Sequence, residues 1–132
     1  MKVYENLAPY YDRFMNSMEK AQLAVNVIVD KKGYDIQMLD VAAITSIAEK
    51  FVICQAKNRS QSQAIADEIM DKLKAENEQP LRVEGYQGGG WILLDYGAVV
   101  VQIFKPEERA YYNLEKLWGD SPEVDITAWL AQ

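Results

Sequence analysis

Asp40, Glu84 and Asp95 are carboxylates set within apolar runs, and acids so placed are the raw material of a general acid and base pair or of magnesium-assisted phosphoryl transfer. A nucleotidyl-transferring site needs more: Gly-Ser followed by an Asp-x-Asp pair to hold the metal, and the chain contains neither pattern. It has no histidine, which removes a Ser/His/Asp or Cys/His relay and any His-containing metal site. Gly88-Gly89-Gly90 lacks both G-x-G-x-x-G spacing and a P-loop lysine, and a strand follows where a phosphate cradle needs a helix. It is therefore expected to be a hairpin turn. The lone cysteine, Cys54, lies in Phe51-Val52-Ile53-Cys54 and reads as a small buried apolar group in a reducing compartment. No cofactor, no metal and no catalysis are expected; the alternative is a metal-dependent nucleotidyl or phosphoryl transferase built on the three carboxylates.

The aromatic residues are the more promising signal. Trp91, Tyr96, Tyr111, Tyr112 and Trp118 all fall in the C-terminal third, near two turns and one short helix. Rings bury much area at little entropic loss, which makes them the usual anchors of protein interfaces. Taken singly, such a ring more often caps a core. Trp91, beside the glycine turn and expected on a strand edge, is the leading candidate for an exposed one.

Elements that would position these groups follow from the spacing. Ala21, Ala24, Val25, Ile28 and Val29 predict a helix over 18–31, with Ser17 as its cap and Gly33 as its end. Ile36–Val41 and Phe51–Ala56 suit strands, joined by a polar turn around Thr45 and Ser46. Ser60-Gln61-Ser62-Gln63 has the spacing of a capping box, and Ile65, Ile69 and Leu73 follow on one helical face, with Glu68 and Lys72 paired outside it. Strands at Leu81–Glu84, Trp91–Asp95 and Ala98–Phe104 make an antiparallel meander, the last apolar enough to be buried on both faces. Pro106, Glu107 and Glu108 open a final helix that Gly119 ends, leaving a loosely held tail from Asp120 to Gln132. The fold class is α/β (α+β): a mixed sheet of about five strands flanked by helices.

Composition agrees with one ordinary globular domain, since 132 residues support a single core and the chain is 49% apolar and 26% charged. A net charge of −6, with no gathered basic face, argues against specific nucleic-acid binding and favours basic partners. No apolar run approaches the roughly 18 residues that cross a bilayer, so no membrane association and a cytoplasmic location are expected.

Leu39-Asp40-Val41, Phe51–Cys54, Gln63–Asp67, Arg82-Val83-Glu84-Gly85, Trp91–Gly97 and Tyr112–Asp120, in that order, resemble the ribosomal silencing factor (Iojap) family over residues 18–120. The resemblance implies a nucleotidyltransferase-like fold without catalysis. It also implies binding to protein L-fourteen of the large ribosomal subunit, steric obstruction of small-subunit joining, repression of translation, and homodimers resting on a long sheet edge. Carried over position by position, the partner-binding surface falls on Trp91, Tyr96 and Tyr112, with Asp95 as a nearby acidic contact. The chain departs from the family pattern at Ala98, where an acid is usual, at Gln102, where a histidine is usual, and at Lys57-Asn58-Arg59, where small residues are common.

Residues 1–17 form an extension in which Val3–Met15 looks instead like the opening of S-adenosylmethionine-dependent methyltransferases. Such an enzyme needs a glycine-rich strand-to-helix loop next, and none follows. The expected organisation is thus an extension over 1–17, a domain over 18–120 and a tail over 121–132.

Overall fold

A computed structural model describes residues 15–112 and 118–130. Its elements are α1 (Ser17–Asp30), β1 (Tyr34–Asp40), β2 (Lys50–Gln55), α2 (Arg59–Ala75), β3 (Arg82–Glu84), β4 (Trp91–Asp95), β5 (Val99–Phe104), α3 (Pro106–Tyr112) and α4 (Thr127–Leu130). The strands form one sheet in the order β1-β2-β5-β4-β3. All neighbours run antiparallel except β2 and β5, which α2 and the β3–β4 hairpin connect as a parallel crossover. The mixed five-stranded sheet and the meander are those expected. β5, the most apolar strand, takes the central place and is buried along its whole length.

Both long helices start two residues or fewer from the expected point, on different caps. Asn16 caps α1: its side chain accepts from the Glu19 amide at 2.8 Å, and the Glu19 carboxylate accepts from the Asn16 amide in return. Ser17 cannot serve because it is already helical, and its hydroxyl donates to Glu49 instead. Asn58 caps α2 by accepting from the Gln61 amide at 2.9 Å, and Gln61 reaches back to the Lys57 amide. Ser60 is thus inside the helix, while Ser62, fully buried, lies 2.8 Å from the Gly89 carbonyl and fastens the glycine turn.

Strand parity divides the core in two. On one face α1 and α2 bring Ala24, Val25, Ile28, Ile65, Ile69 and Leu73 against the sheet's Met38, Val52, Ile92, Leu94, Val101 and Ile103. Each large aliphatic buried there contributes about 1.5–3 kcal/mol. The other face carries Leu39, Phe51, Ile53, Val100 and Phe104, with Trp91, Leu93 and Trp118 packed on them.

The C-terminal segment, expected to be loosely held, is packed. Asp40 donates its amide to Pro122 and Val124 donates to Met38, which lays this segment along the outer edge of β1. Ile126 is buried against the helical face and Trp129 packs beside it. Sequence reasoning missed this because the two anchors are isolated in a polar stretch with no periodicity to reveal them. Most of the 1–17 extension, and Leu114 and Leu117 of the final expected helix, lie outside the described residues.

Candidate protein-docking face

Register sets which side chains share the face opposite α1 and α2. Trp91 pairs with Phe104, Leu93 with Gln102, and Asp95 with Val100, so these six residues point the same way. Through β2 the rows continue to Gln55, Ile53 and Phe51. α3 lies on this face, with Tyr112 set over Trp91.

Four rings form a continuous ladder there. Tyr111 meets Tyr112 edge-on at 5.1 Å, Tyr112 meets Trp91 at 4.5 Å, and Trp91 stacks on Phe104 at 4.9 Å. The geometries are the tilted and offset ones that aromatic quadrupoles favour. The ladder runs from the core outward: Phe104 is fully buried, Tyr112 is 44% exposed and Tyr111 is 82% exposed. The Trp91 indole donates to the Gln102 side-chain oxygen at 3.2 Å, and Gln102 is itself buried. Beside it, Phe51 and Trp118 make a second edge-to-face pair at 4.8 Å. Two outward tyrosines braced from behind by a hydrogen-bonded tryptophan present a stiff apolar surface with polar tips, the chemistry of a protein-binding anchor.

Not every expected site residue belongs here. Trp91 begins β4, an interior strand, so it lies at a strand end and not on a sheet edge. Tyr96 follows Trp91 by five positions and therefore faces the other way: it is 5% exposed, packed among the helical core, with a buried hydroxyl that finds no partner among the described residues. Burial pushes that phenol up to about 12, helped by Glu78 nearby. Its ring is thus covered by the helical core, away from the face of Trp91. Asp95 does share the face of Trp91, but its carboxylate accepts from the Gly97 amide at 2.8 Å and pairs with Arg82 at 3.3 Å.

The three carboxylates considered for catalysis do not converge: Asp40 stands apart from Glu84 and Asp95, which share Arg82. Asp40 on β1 pairs with Lys50 and points to the face opposite Asp95. The intervening β2 and β5 put about 14 Å between their strands at ordinary sheet spacing. Glu84 and Asp95 each bind Arg82 at 3.3 Å, an exposed arrangement of little energetic weight. Among the described residues no group of three or more potential metal ligands comes together. Cys54 is buried, and desolvation pushes its thiol up to about 12 despite Arg109, which fits the apolar role expected of it.

The glycine turn has a stricter member than the triple suggested. Gly85 adopts a φ of +75°, and a Cβ there would stand 1.9 Å from the Trp91 carbonyl oxygen. Gly89 is held at +74° against Arg59, whereas Gly88 faces open space. Gly85 therefore brings β3 close enough to start β4, and with it Trp91, in register.

A family model described as ribosomal silencing factor during starvation matches residues 15–132. The chain belongs to that family. A family relative from Halalkalibacterium halodurans, named ribosomal silencing factor RsfS, is 45% identical over 112 residues, spanning 85% of this chain and 96% of that one. The Bacillus subtilis protein of the same name is 42% identical over the same length, spanning 85% and 95%. The chloroplastic protein Iojap of Zea mays is 32% identical over 95 residues, which are 72% of this chain and 41% of the plant protein. A crystal structure of a Chromobacterium violaceum protein superposes with a TM-score of 0.77 at 35% identity, covering 80% of this chain and 88% of that one. The family match takes in α1 and the packed C-terminal segment as well as the sheet.

Proposed function

We propose that this chain docks on protein L-fourteen of the large ribosomal subunit through Trp91 and Tyr112, with Tyr111 beside them and Asp95 as an acidic contact, and thereby blocks joining of the small subunit. Translation is repressed by occlusion, so the protein acts in the cytoplasm without catalysing a reaction. The observation that carries this reading is the ring ladder from Phe104 to Tyr111, whose outer members are solvent-exposed while its inner ones are locked. The net charge of −6 supports a basic partner, because charge complementarity raises association rates and fixes orientation.

Homodimerisation is part of the same proposal, but its basis is narrower than a long sheet edge. The outer edge of β1 is occupied at Met38–Asp40 by the C-terminal segment, and β3 offers three residues, flanked by the exposed Leu81 and including the exposed Val83. A second copy would meet that apolar strip.

Co-sedimentation with purified large subunits, followed by light-scattering measurement of subunit association, tests the reading. The protein is expected to pellet with large subunits and to suppress association. Failure to pellet, or association undiminished at saturating protein, ends it.

A further inference from the structure

We propose that Arg109, which no motif singled out, is the positioning residue that sets the docking rings by locking α3 to the far edge of the sheet; this rests on the docking reading above. α3 is described over Pro106–Tyr112, and the roll of a helical stretch in a protein is set by what it packs against more than by its own hydrogen bonds. Arg109, at its middle, is 8% exposed and reaches to β1: Nη1 donates to the Asp35 carbonyl at 2.7 Å and Nη2 donates to Gln37 Oε1 at 2.8 Å.

The receiving end is built for this. β1 bulges between Tyr34 and Gln37, and Asp35 sits at a φ of +48°, a left-handed backbone seldom adopted by a residue with a side chain. The turned backbone offers its carbonyl to the guanidinium, and Gln55 on β2 donates to the Asp35 carboxylate from behind. These residues line a cleft of about 550 Å³ between α3 and the strands. Strain of this sort persists where surrounding contacts fix it.

Tyr112 lies three positions beyond Arg109, on the same side of the helix one turn along. Arg109 grips β1 while Tyr112 covers Trp91 on β4, with β2 and β5 between them. Two attachments on one face of the sheet, at β1 and at β4, fix the roll of one helical turn, and that roll aims Tyr111 outward. A planar two-pronged guanidinium can hold both acceptors at once; an ammonium cannot.

Binding of the full chain to purified large subunits tests the link. Arg109→Met and Arg109→Lys are each expected to weaken binding about tenfold with the helical circular-dichroism signal intact, because both lose the fork. In a Tyr112→Ala background, Arg109→Met should add nothing, since it acts through that ring. Acrylamide quenching of Trp91, read in a Trp118→Phe/Trp129→Phe chain, should rise in Arg109→Met. Parent-like affinity of Arg109→Met, or losses that simply add to those of Tyr112→Ala, overturns the proposal while leaving the docking reading in place. If Tyr112→Ala itself binds like the parent, both fall. Should Arg109→Met fail to fold, Gln37→Ala removes one acceptor instead: a loss of about threefold supports the link, and unchanged affinity defeats it.

Discussion

Trp91 donates its indole N–H to the side-chain oxygen of Gln102 on the neighbouring strand, at 3.2 Å and next to a pairing that already sets Leu93 opposite Gln102. The indole is thereby held in one orientation, with one side on Phe104 and the other toward Tyr112. The Gln102 amide oxygen accepts equally at any ordinary pH.

Trp91→Ala should therefore lose both stacking and orientation and weaken large-subunit binding by about 30-fold or more, the scale of an interface anchor. Trp91→Phe keeps a ring but not the donor and should fall between the two. Gln102→His should make binding pH-dependent: neutral imidazole can accept from the indole, the protonated ring cannot, so affinity drops as pH falls through about 6. Affinities measured over this range would contradict the role of Gln102 if the variant were as flat as the parent.

Tyr111→Ala removes a ring that is almost wholly in solvent, so its thermal midpoint should move little, within about 0.5 kcal/mol of stability. Its binding should nonetheless weaken by about tenfold. A variant equally stable and equally tight would show that the outermost ring is not part of the contact.

For Tyr96 the opposite pattern is expected. Its buried hydroxyl lacks a partner among the described residues, so Tyr96→Phe should leave binding unchanged and raise stability by about 1 kcal/mol in denaturant titrations. Weakened binding with stability unchanged would place this ring at the interface after all.

Alkaline pH should erode the stability of the fold from above about pH 9. The folded state holds the Cys54 thiol and the Tyr96 phenol protonated up to about 12, whereas their ordinary values are 9.0 and 10.0. Between those limits the unfolded chain releases protons that the folded chain retains, so stability is complete below the lower values and declines as pH climbs toward 12. Circular dichroism against pH checks this, and Cys54→Ala combined with Tyr96→Phe should shift the decline upward.

Gly85→Ala should be among the most damaging single changes, costing about 3 kcal/mol or more, because the new Cβ would collide with the Trp91 carbonyl on a backbone already at positive φ. Gly88→Ala, facing open space, should be nearly silent in the same melting assay.

Much of the fold was legible because period and composition agree locally: Ile65, Ile69 and Leu73 announce α2, and the run Val99–Phe104 announces a central strand. Parity alone could have turned Tyr96 inward, since Trp91, Leu93 and Asp95 share a face that a residue five places on cannot. The docking of Val124 and Ile126 depends on partners some 85 positions earlier, such as Met38, and left no local trace. Arg109 was hidden for a different reason. An arginine in a short helix is ordinarily solvated, and only the bulge at Asp35, itself invisible in the residue types, makes it a structural fork.

The strip running from Pro122 to Val124 along β1 has a consequence for how copies of this protein can stick together. By pairing with Met38–Asp40 it covers that half of the longer rim, and among the described residues the opposite rim is the three-residue strand β3, too short to template stacking of chain upon chain. Shortening the chain before Pro122 would uncover the rim at Met38–Asp40 and raise the tendency of copies to join edge to edge.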